Sequence, residues 1–264
     1  MPLTLTPLPG IPLIRQGDNL ADIVLNALGE SNISLQENDI LVFAQKIVSK
    51  AEGRAVNLNA VIPSQRALEL GKQTEKDPRL IELILQESSD VLRTRVGVII
   101  VEHKLGFVCA NAGIDHSNVS PSLHQEEAAE GVGARDEYVL LLPENPDRSA
   151  QILRKQIKKQ TDKQIGILII DSHGRAWRNG TVGAAIGIAG LPGLEDLRGK
   201  PDLFGYTLQV TQIGAADELA AAASLMMGQA AEGTPIVHVR GFPYGLREGS
   251  LKELIRPREQ DLFR

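Results

Sequence analysis

The sequence predicts a protein of the α+β class, and three observations carry that reading. An apolar β-branched run, residues 167–170, has the character of a strand buried on both faces. Two apolar runs, 96–101 and 107–110, are separated by a short polar link containing Gly106, which predicts a hairpin. Several other segments carry helical spacing with recognisable caps. The chain has 264 residues, 42% hydrophobic and 23% charged, enough for one large domain over 1–264 or two lobes within it.

Taken in order, residues 3–13 alternate apolar residues with Thr and Pro and meet Gly10 and Pro12, as an edge strand running into a loop does. Asp18 is the expected cap of a helix over 20–28, where Leu20, Ile23, Val24 and Ala27 recur. A buried strand over 40–44 is followed at once by Gln45, Lys46, Ser49 and Lys50, read as a polar loop whose lysines are either solvated or anion-binding. Asp77 and Pro78 open a helix. After the hairpin, Asn111, Gly113, Asp115, Ser117 and Asn118 make a dense polar loop. Residues 120–137 are acidic, small and aperiodic, as an exposed insertion is. A strand over 138–142 precedes a basic helix capped by Asp147, with Ile152, Leu153 and Ile157 facing inward.

The richest stretch is 165–190. The apolar run stops at Asp171, Ser172 to Gly174 read as a polar turn, Arg175 and Arg178 flank Trp177, and Gly180, Gly183, Gly187 and Gly190 permit close approach of a backbone or a ligand. An ordinary strand end with a surface turn fits the same residues. Beyond it, a strand over 208–213, an alanine-rich helix over 217–227 ended by Gly228, and a strand over 235–239 complete the pattern.

Composition narrows function. The net charge of -5 leaves no general basic field for nucleic acid, and no leader or membrane span is read in the chain. A single cysteine, Cys109, excludes an internal disulfide and fits a reducing cytoplasm. Neither GxxxxGK[ST] nor GxGxxG occurs. Cys109 near His116 reads as packing rather than as a nucleophile. His173 reads as a structural residue. Asp115, Asp171 and Gln229, with the Ser172 hydroxyl, are instead hard oxygen donors suited to Mg2+ or Mn2+, and Lys46, Lys50, Arg175 or Arg178 would draw anions.

The segments GIPLIRQGDNL, AQKIVSKAEGR, KDPRLIELILQES, GFVCANAGIDHSNV, LLLPENPDRSA, DSHGRAWRNGTVGAAIGIAG, DLRGKPDLFGYTLQVT and ADELAAAASLMMGQAAEGTPIVHVRG, in that order, resemble the coenzyme F420-0:gamma-glutamyl ligase family. The resemblance implies a mixed α+β fold paired as an intertwined homodimer. It also implies GTP-dependent and metal-dependent addition of L-glutamate, by gamma linkage, to the deazaflavin coenzyme F420-0, with F420-1 a further acceptor and K+ a further candidate ion. It implies metal at Asp115, Asp171, Ser172 and Gln229. It implies GTP at Pro9, Gly10, Ile11, Pro12, Gln45, Lys46, Lys50 and Asn118, and along Met227, Gly228, Gln229, Ala230, Ala231, Glu232, Gly233 and Thr234. Ser172 stands where the family commonly has threonine, and the excursion after Val119 is longer than in compact members. No nitroreductase-like extension is expected. The chemistry fits an acyl phosphate attacked by the glutamate amine, with Lys46, Arg175 and Arg178 as catalytic counter-charges. Two other readings stand beside it: the same ligation on another carboxylate acceptor, and a GTP-binding regulatory protein without turnover.

Overall fold

A computed structural model describes residues 2–116, 119 and 137–262. In order, the strands and helices are β1 (Thr4–Pro7), α1 (Leu20–Glu30), β2 (Ile40–Ala44), α2 (Gln45–Ala51), β3 (Ala55–Asn57), α3 (Gln65–Thr74), α4 (Pro78–Gln86), β4 (Ser88–Arg95), β5 (Val98–His103), β6 (Val108–Ala110), β7 (Tyr138–Leu140), α5 (Pro146–Thr161), β8 (Gly166–Arg175), β9 (Arg178–Ala189), β10 (Glu195–Asp196), β11 (Gln212–Ile213), α6 (Ala215–Met227) and β12 (Ile236–Arg240). The α+β class holds, and the chain divides into two compact units.

The first unit comprises Met1–Leu13, Asn19–Val48 and Glu144–Asp261. Its five-stranded sheet runs β1-β12-β2-β8-β9, with β2 and β8 parallel and every other pairing antiparallel. β1 is the expected edge strand. Ile40 and Val42 of β2, Leu168 and Ile170 of β8 and Val237 and Val239 of β12 are buried against the alanines of α6. Leu41, Phe43, Ile167 and Ile169 are buried too, and alternation turns them to the other face, where α5 packs on β8 and β9 with α1 beside it. Each such aliphatic side chain contributes roughly 1.5–3 kcal/mol on burial, which is why both faces of the central strands are apolar.

The second unit comprises Ile14–Asp18, Ser49–Pro143 and Leu262–Arg264. It holds a three-stranded sheet, β4-β5-β6, and the β3-β7 pair. The expected hairpin is β5 and β6, and the Asp77 side chain accepts from Arg79 N–H to cap α4 as expected. Leu58, Ile81, Ile84, Ile99, Val101 and Val139 form this unit's core.

Several local expectations are corrected. Asn19, not Asp18, caps α1 by accepting from Ala21 N–H, while Asp18 accepts from Arg15 N–H. Asn145 caps α5. Asp147 sits in the first turn and reaches across to the N–H groups of Ile188 and Leu251. Ile152 is 47% exposed, so only Leu153 and Ile157 of that trio face inward. Residues 45–51 are a helix, not a loop, with Gln45 and Ser49 buried. The Ser172 to Gly174 turn is absent: β8 continues to Arg175 and turns at Ala176 and Trp177. Hydrophobicity ends where burial ends, but the ladder runs on. Of the expected strand over 208–213 only Gln212 and Ile213 pair. The insertion over 120–137 lies outside the described residues except for Glu137.

β9 is an edge strand, and its exposed edge is capped from both layers. Opposite the Ile169–Ile170 step, β9 carries one extra residue, since Gly187 pairs Ile169 but Ala185 pairs Ile170. This bulge turns the N–H of Ala185 to Asp217 of α6 at 2.9 Å, while Ile188 N–H donates to Asp147 of α5 at 2.8 Å. At the amino end of β2, buried Asp39 accepts from Arg240 Nε at 2.9 Å and Nη2 at 2.7 Å, and its Oδ2 lies 2.8 Å from His238 Nε2.

Burial alone would raise the Asp39 carboxyl, but the Arg240 and His238 hydrogen bonds outweigh it and hold it below the usual carboxylate range. Its stabilisation is therefore complete above the unfolded value of ~3.9 and is lost as pH falls through the folded value. Asp147 is opposite: burial raises its carboxyl, and the Ile188 and Leu251 amides compensate only in part. Its ionised form is a net cost at neutral pH, present once pH rises through the folded value. In urea unfolding at pH 7, Asp39→Asn is expected to cost about 3–5 kcal/mol, because it uncouples a buried charge from its partners. Asp147→Asn keeps an acceptor and is expected to stay within about 1 kcal/mol of the parent; a large loss there would contradict the assignment.

Candidate functional site

Parallel β2 and β8 end side by side, and in such sheets the carboxyl ends of the strands are where ligands are met. Gln45 and Lys46 follow β2 directly, and Asp171 follows the buried part of β8. β1 ends and β12 begins at the same edge. Leu8 N–H donates to Ile236 O and Ala44 N–H donates to Pro235 O, both at 2.9 Å. The first unit thus brings four sequence-selected segments to one end of one sheet: Pro9 to Pro12, Gln45 with Lys46, Asp171 with Ser172, and Met227 to Thr234. Gly10 takes a φ of +74°, a left-handed turn natural to glycine.

Adjacent residues of a strand face opposite sides, and the β8 donors divide accordingly. Asp171 shares a face with His173, whose Nε2 lies 3.1 Å from Asp171 Oδ2. Ser172 faces α6, and its hydroxyl donates to Gln229 Oε1 at 2.8 Å. Gln229 Nε2 in turn donates to Ser224 Oγ at 2.9 Å. The helix comes this near because residue 183, paired with Ser172, is glycine: a Cβ there would lie 2.3 Å from Ala220 O and 2.6 Å from Ser224 Cβ. The close approach expected of the glycines is thus realised by helices. A Cβ at Gly187 would likewise meet Pro146 of α5 at 2.6 Å.

Gly228, with φ +74°, ends α6 as expected and starts the turn that carries Gln229. Thr234 Oγ1 donates to Met227 O at 3.2 Å, closing the turn on itself. Inside it, Ala230 N–H donates to Glu232 Oε2 at 2.8 Å, and such backbone N–H groups hold the Glu232 carboxyl below its ordinary value. Any anion that bound these amides would have Glu232 to displace. Asp217, at the other end of α6, is raised by burial, with the Ala185 amide and the charge of His173 pulling it partly back.

The remaining candidates sit apart from this end or in the other unit. Arg175 and Arg178 are exposed and face each other in register across the hairpin turn, with Trp177 88% exposed between them. At ~3.3 Å per residue they stand roughly 13 Å along the ladder from Asp171, so they address a different part of any long substrate. Lys50 and Asp115 belong to the second unit, where the backbone of Asp115 pairs with Leu140. Asn118 lies outside the described residues. Among the described residues no group of three or more His, Cys, Asp and Glu is poised for a metal. The donors that do meet, hydroxyl and amide oxygens with a carboxylate on the adjacent residue, have the hard-oxygen chemistry that Mg2+ or Mn2+ accepts beside phosphate.

Reading from residue types missed Ser224 and Asp217. A signal for Ser224 was present, since it is the one polar residue in the run Leu219 to Met227.

Fold and donors together define a mixed α+β protein with an oxygen-donor site at the carboxyl ends of parallel strands. The model of the family described as F420-0:Gamma-glutamyl ligase matches residues 10–241. A protein named Coenzyme F420:L-glutamate ligase from Methanothermobacter thermautotrophicus is 44% identical and covers 100% of both chains. Proteins of the same name from Methanopyrus kandleri and Archaeoglobus fulgidus are 41% and 40% identical, covering 99% and 98% of this chain and 98% and 95% of theirs. The chain belongs to the F420-0:gamma-glutamyl ligase family, and it is an enzyme of the ligase class.

If the contact at Gly183 positions Gln229, then Gly183→Ala forces α6 away from β9. The expected cost is about 1–3 kcal/mol in urea unfolding; an unchanged midpoint would show that the contact sets nothing.

Proposed function

We propose that this enzyme joins L-glutamate to the deazaflavin coenzyme F420-0 through an amide bond between the acceptor's carboxylate and the glutamate amine, with gamma linkage in any later addition, spending GTP and releasing GDP and phosphate. The observation that carries the reading is the gathering of the 9–12 loop, Gln45 and Lys46, Asp171 and Ser172, and the 228–234 turn at one end of the sheet. Relatives named for coenzyme F420 and L-glutamate supply the two substrates.

A carboxylate in water does not condense with an amine, because its oxygen is too poor a leaving group. Attack of the acceptor carboxylate oxygen on the γ-phosphorus breaks the bond to the β-phosphate oxygen and expels GDP. The glutamate amine then attacks the acyl carbon, the acyl C–O bond breaks, phosphate departs, and the amine loses a proton. F420-1, the product of one addition, keeps a carboxylate and is a chemically competent second acceptor. Phosphates and carboxylates bring several negative charges together, and the chain's own groups answer them. The 9–12 loop, Gln45, Lys46 and the amides of the 228–234 turn hold the nucleotide. Arg175 and Arg178, far out on the hairpin, meet the acceptor's anionic tail. Ser172 with Gln229, and Asp171 on the adjacent residue, would supply oxygens for Mg2+ or Mn2+, which when bound neutralises phosphate charge; K+ is a further candidate ion. The setting is the cytoplasm, where nucleotide and cofactor precursors are found. Among the described residues no helix is long and apolar enough to cross a membrane.

The protein acts as an intertwined homodimer in this reading. Between β10 and β11 an arm presents Leu203 at 97% and Phe204 at 95% exposure, with Val210 also bare, apolar surface that a second copy would cover in this reading. Sedimentation is expected to give a dimer, and Leu203→Asp with Phe204→Asp a monomer; a monomeric parent chain would contradict the pairing.

Purified protein given GTP, Mg2+, glutamate and F420-0 is expected to release GDP together with a product heavier by one glutamate. Ser172→Ala and Gln229→Ala are each expected to lower this rate about tenfold or more. Absence of GDP release with the acceptor present, or product formed from another carboxylate in preference to F420-0, would overturn the assignment.

A further inference from the structure

We infer that Ser224 is a positioning residue for the metal-binding end of the site, holding the Gln229 amide with its oxygen turned toward Ser172; the inference rests on the proposed reading of Ser172 and Gln229 as oxygen donors to a divalent cation. The Gln229 amide is bracketed by two hydroxyls, Ser172 at 2.8 Å on its oxygen and Ser224 at 2.9 Å on its nitrogen. A hydroxyl both donates and accepts, so two serines by themselves fit either orientation of an amide. A cation on the Ser172 side removes that ambiguity: it attracts the carbonyl oxygen and repels the NH2 group. The NH2 group then needs an acceptor on the side away from the cation, and Ser224 Oγ is the acceptor placed there.

Three features fix Ser224 in that place. It is buried, so water does not compete for its oxygen. Its Cβ sits against the bare backbone of Gly183, in register with Ser172, so the hydroxyl that meets the amide oxygen and the one that meets its nitrogen are held by one strand-to-helix contact. Its carbonyl accepts from Gly228 N–H at 3.2 Å, which ties the residue just before Gln229 to Ser224 as well. The same serine therefore anchors the turn by its backbone and the amide by its side chain. Partners that orient metal ligands in this way commonly change metal affinity about 10–100-fold when removed.

The test is a titration of Mn2+ by electron paramagnetic resonance on the full chain with GDP, run on the parent, Ser224→Ala, Gln229→Ala and the double variant, with thermal melting alongside. Ser224→Ala is expected to weaken Mn2+ binding about tenfold with little change in melting. The double variant is expected to match Gln229→Ala alone, because the serine acts only through the amide. Ser224→Cys, similar in size and a weak acceptor, is expected to fall between parent and alanine variant. Unchanged Mn2+ affinity in Ser224→Ala overturns the inference, as does an alanine effect of the same size with Gln229 already removed, which marks helix packing instead. A parent chain that takes up no Mn2+ beside GDP overturns the metal reading itself, and the inference with it.

Discussion

The approach of α6 to β9 at Gly183 is the constraint on which the candidate site depends. A strand and a helix normally keep a side-chain layer between them, and here the layer is missing at one position. Its absence puts Ser224 against the backbone of β9 and brings Gln229, just after α6, within hydrogen-bond reach of Ser172 on β8. Alanines at 216, 220 and 223 keep the same helix slim along the rest of the sheet. Packing and chemistry are therefore one problem in this unit, since the residues that let the helix approach also determine where an amide oxygen is presented.

The two ends of the five-stranded sheet are specialised differently. At one end, a carboxylate, a guanidinium and an imidazole satisfy one another in a buried cluster that leaves Asp39 ionised and held. Such a cluster fixes strand register, because a slip of one residue would carry His238 and Arg240 away from Asp39 together. At the other end, hydroxyls, an amide, a carboxylate and backbone N–H groups of a glycine-flanked turn are joined by single hydrogen bonds. Groups of that kind can exchange partners when an anion or a cation arrives.

Much of this was legible in the sequence. Residues 40–44 form a strand with the expected bounds, the Asp77–Pro78 start and the Gly228 stop are as read, and the hairpin is β5 with β6. Asp171, Ser172 and Gln229 stood out because each follows an apolar run, the first two after the buried part of β8 and the third after α6. What escaped reading is long-range or geometric. The bulge that makes Gly183 and Gly187 face different helices leaves no mark in the residue types. Ladder pairing carries β8 past Asp171 without hydrophobic help, so Ser172 to Gly174 resembled a turn. The partners of Asp39 lie some two hundred positions along the chain, although His238 and Arg240, two apart on one strand, hinted at a shared polar target. Asn19 and Asn145 took the capping roles given to Asp18 and Asp147 because each aspartate was one or two residues from the true boundary and found another amide to hold.

The most direct test of the central claim is a crystal structure grown with GDP and Mn2+, with the manganese located by its anomalous signal. The account requires a manganese peak against Ser172 Oγ and Gln229 Oε1, with the guanine nucleotide's phosphates at the 228–234 turn. Manganese and nucleotide bound elsewhere, with the Ser172 to Gln229 hydrogen bond left undisturbed, would contradict it.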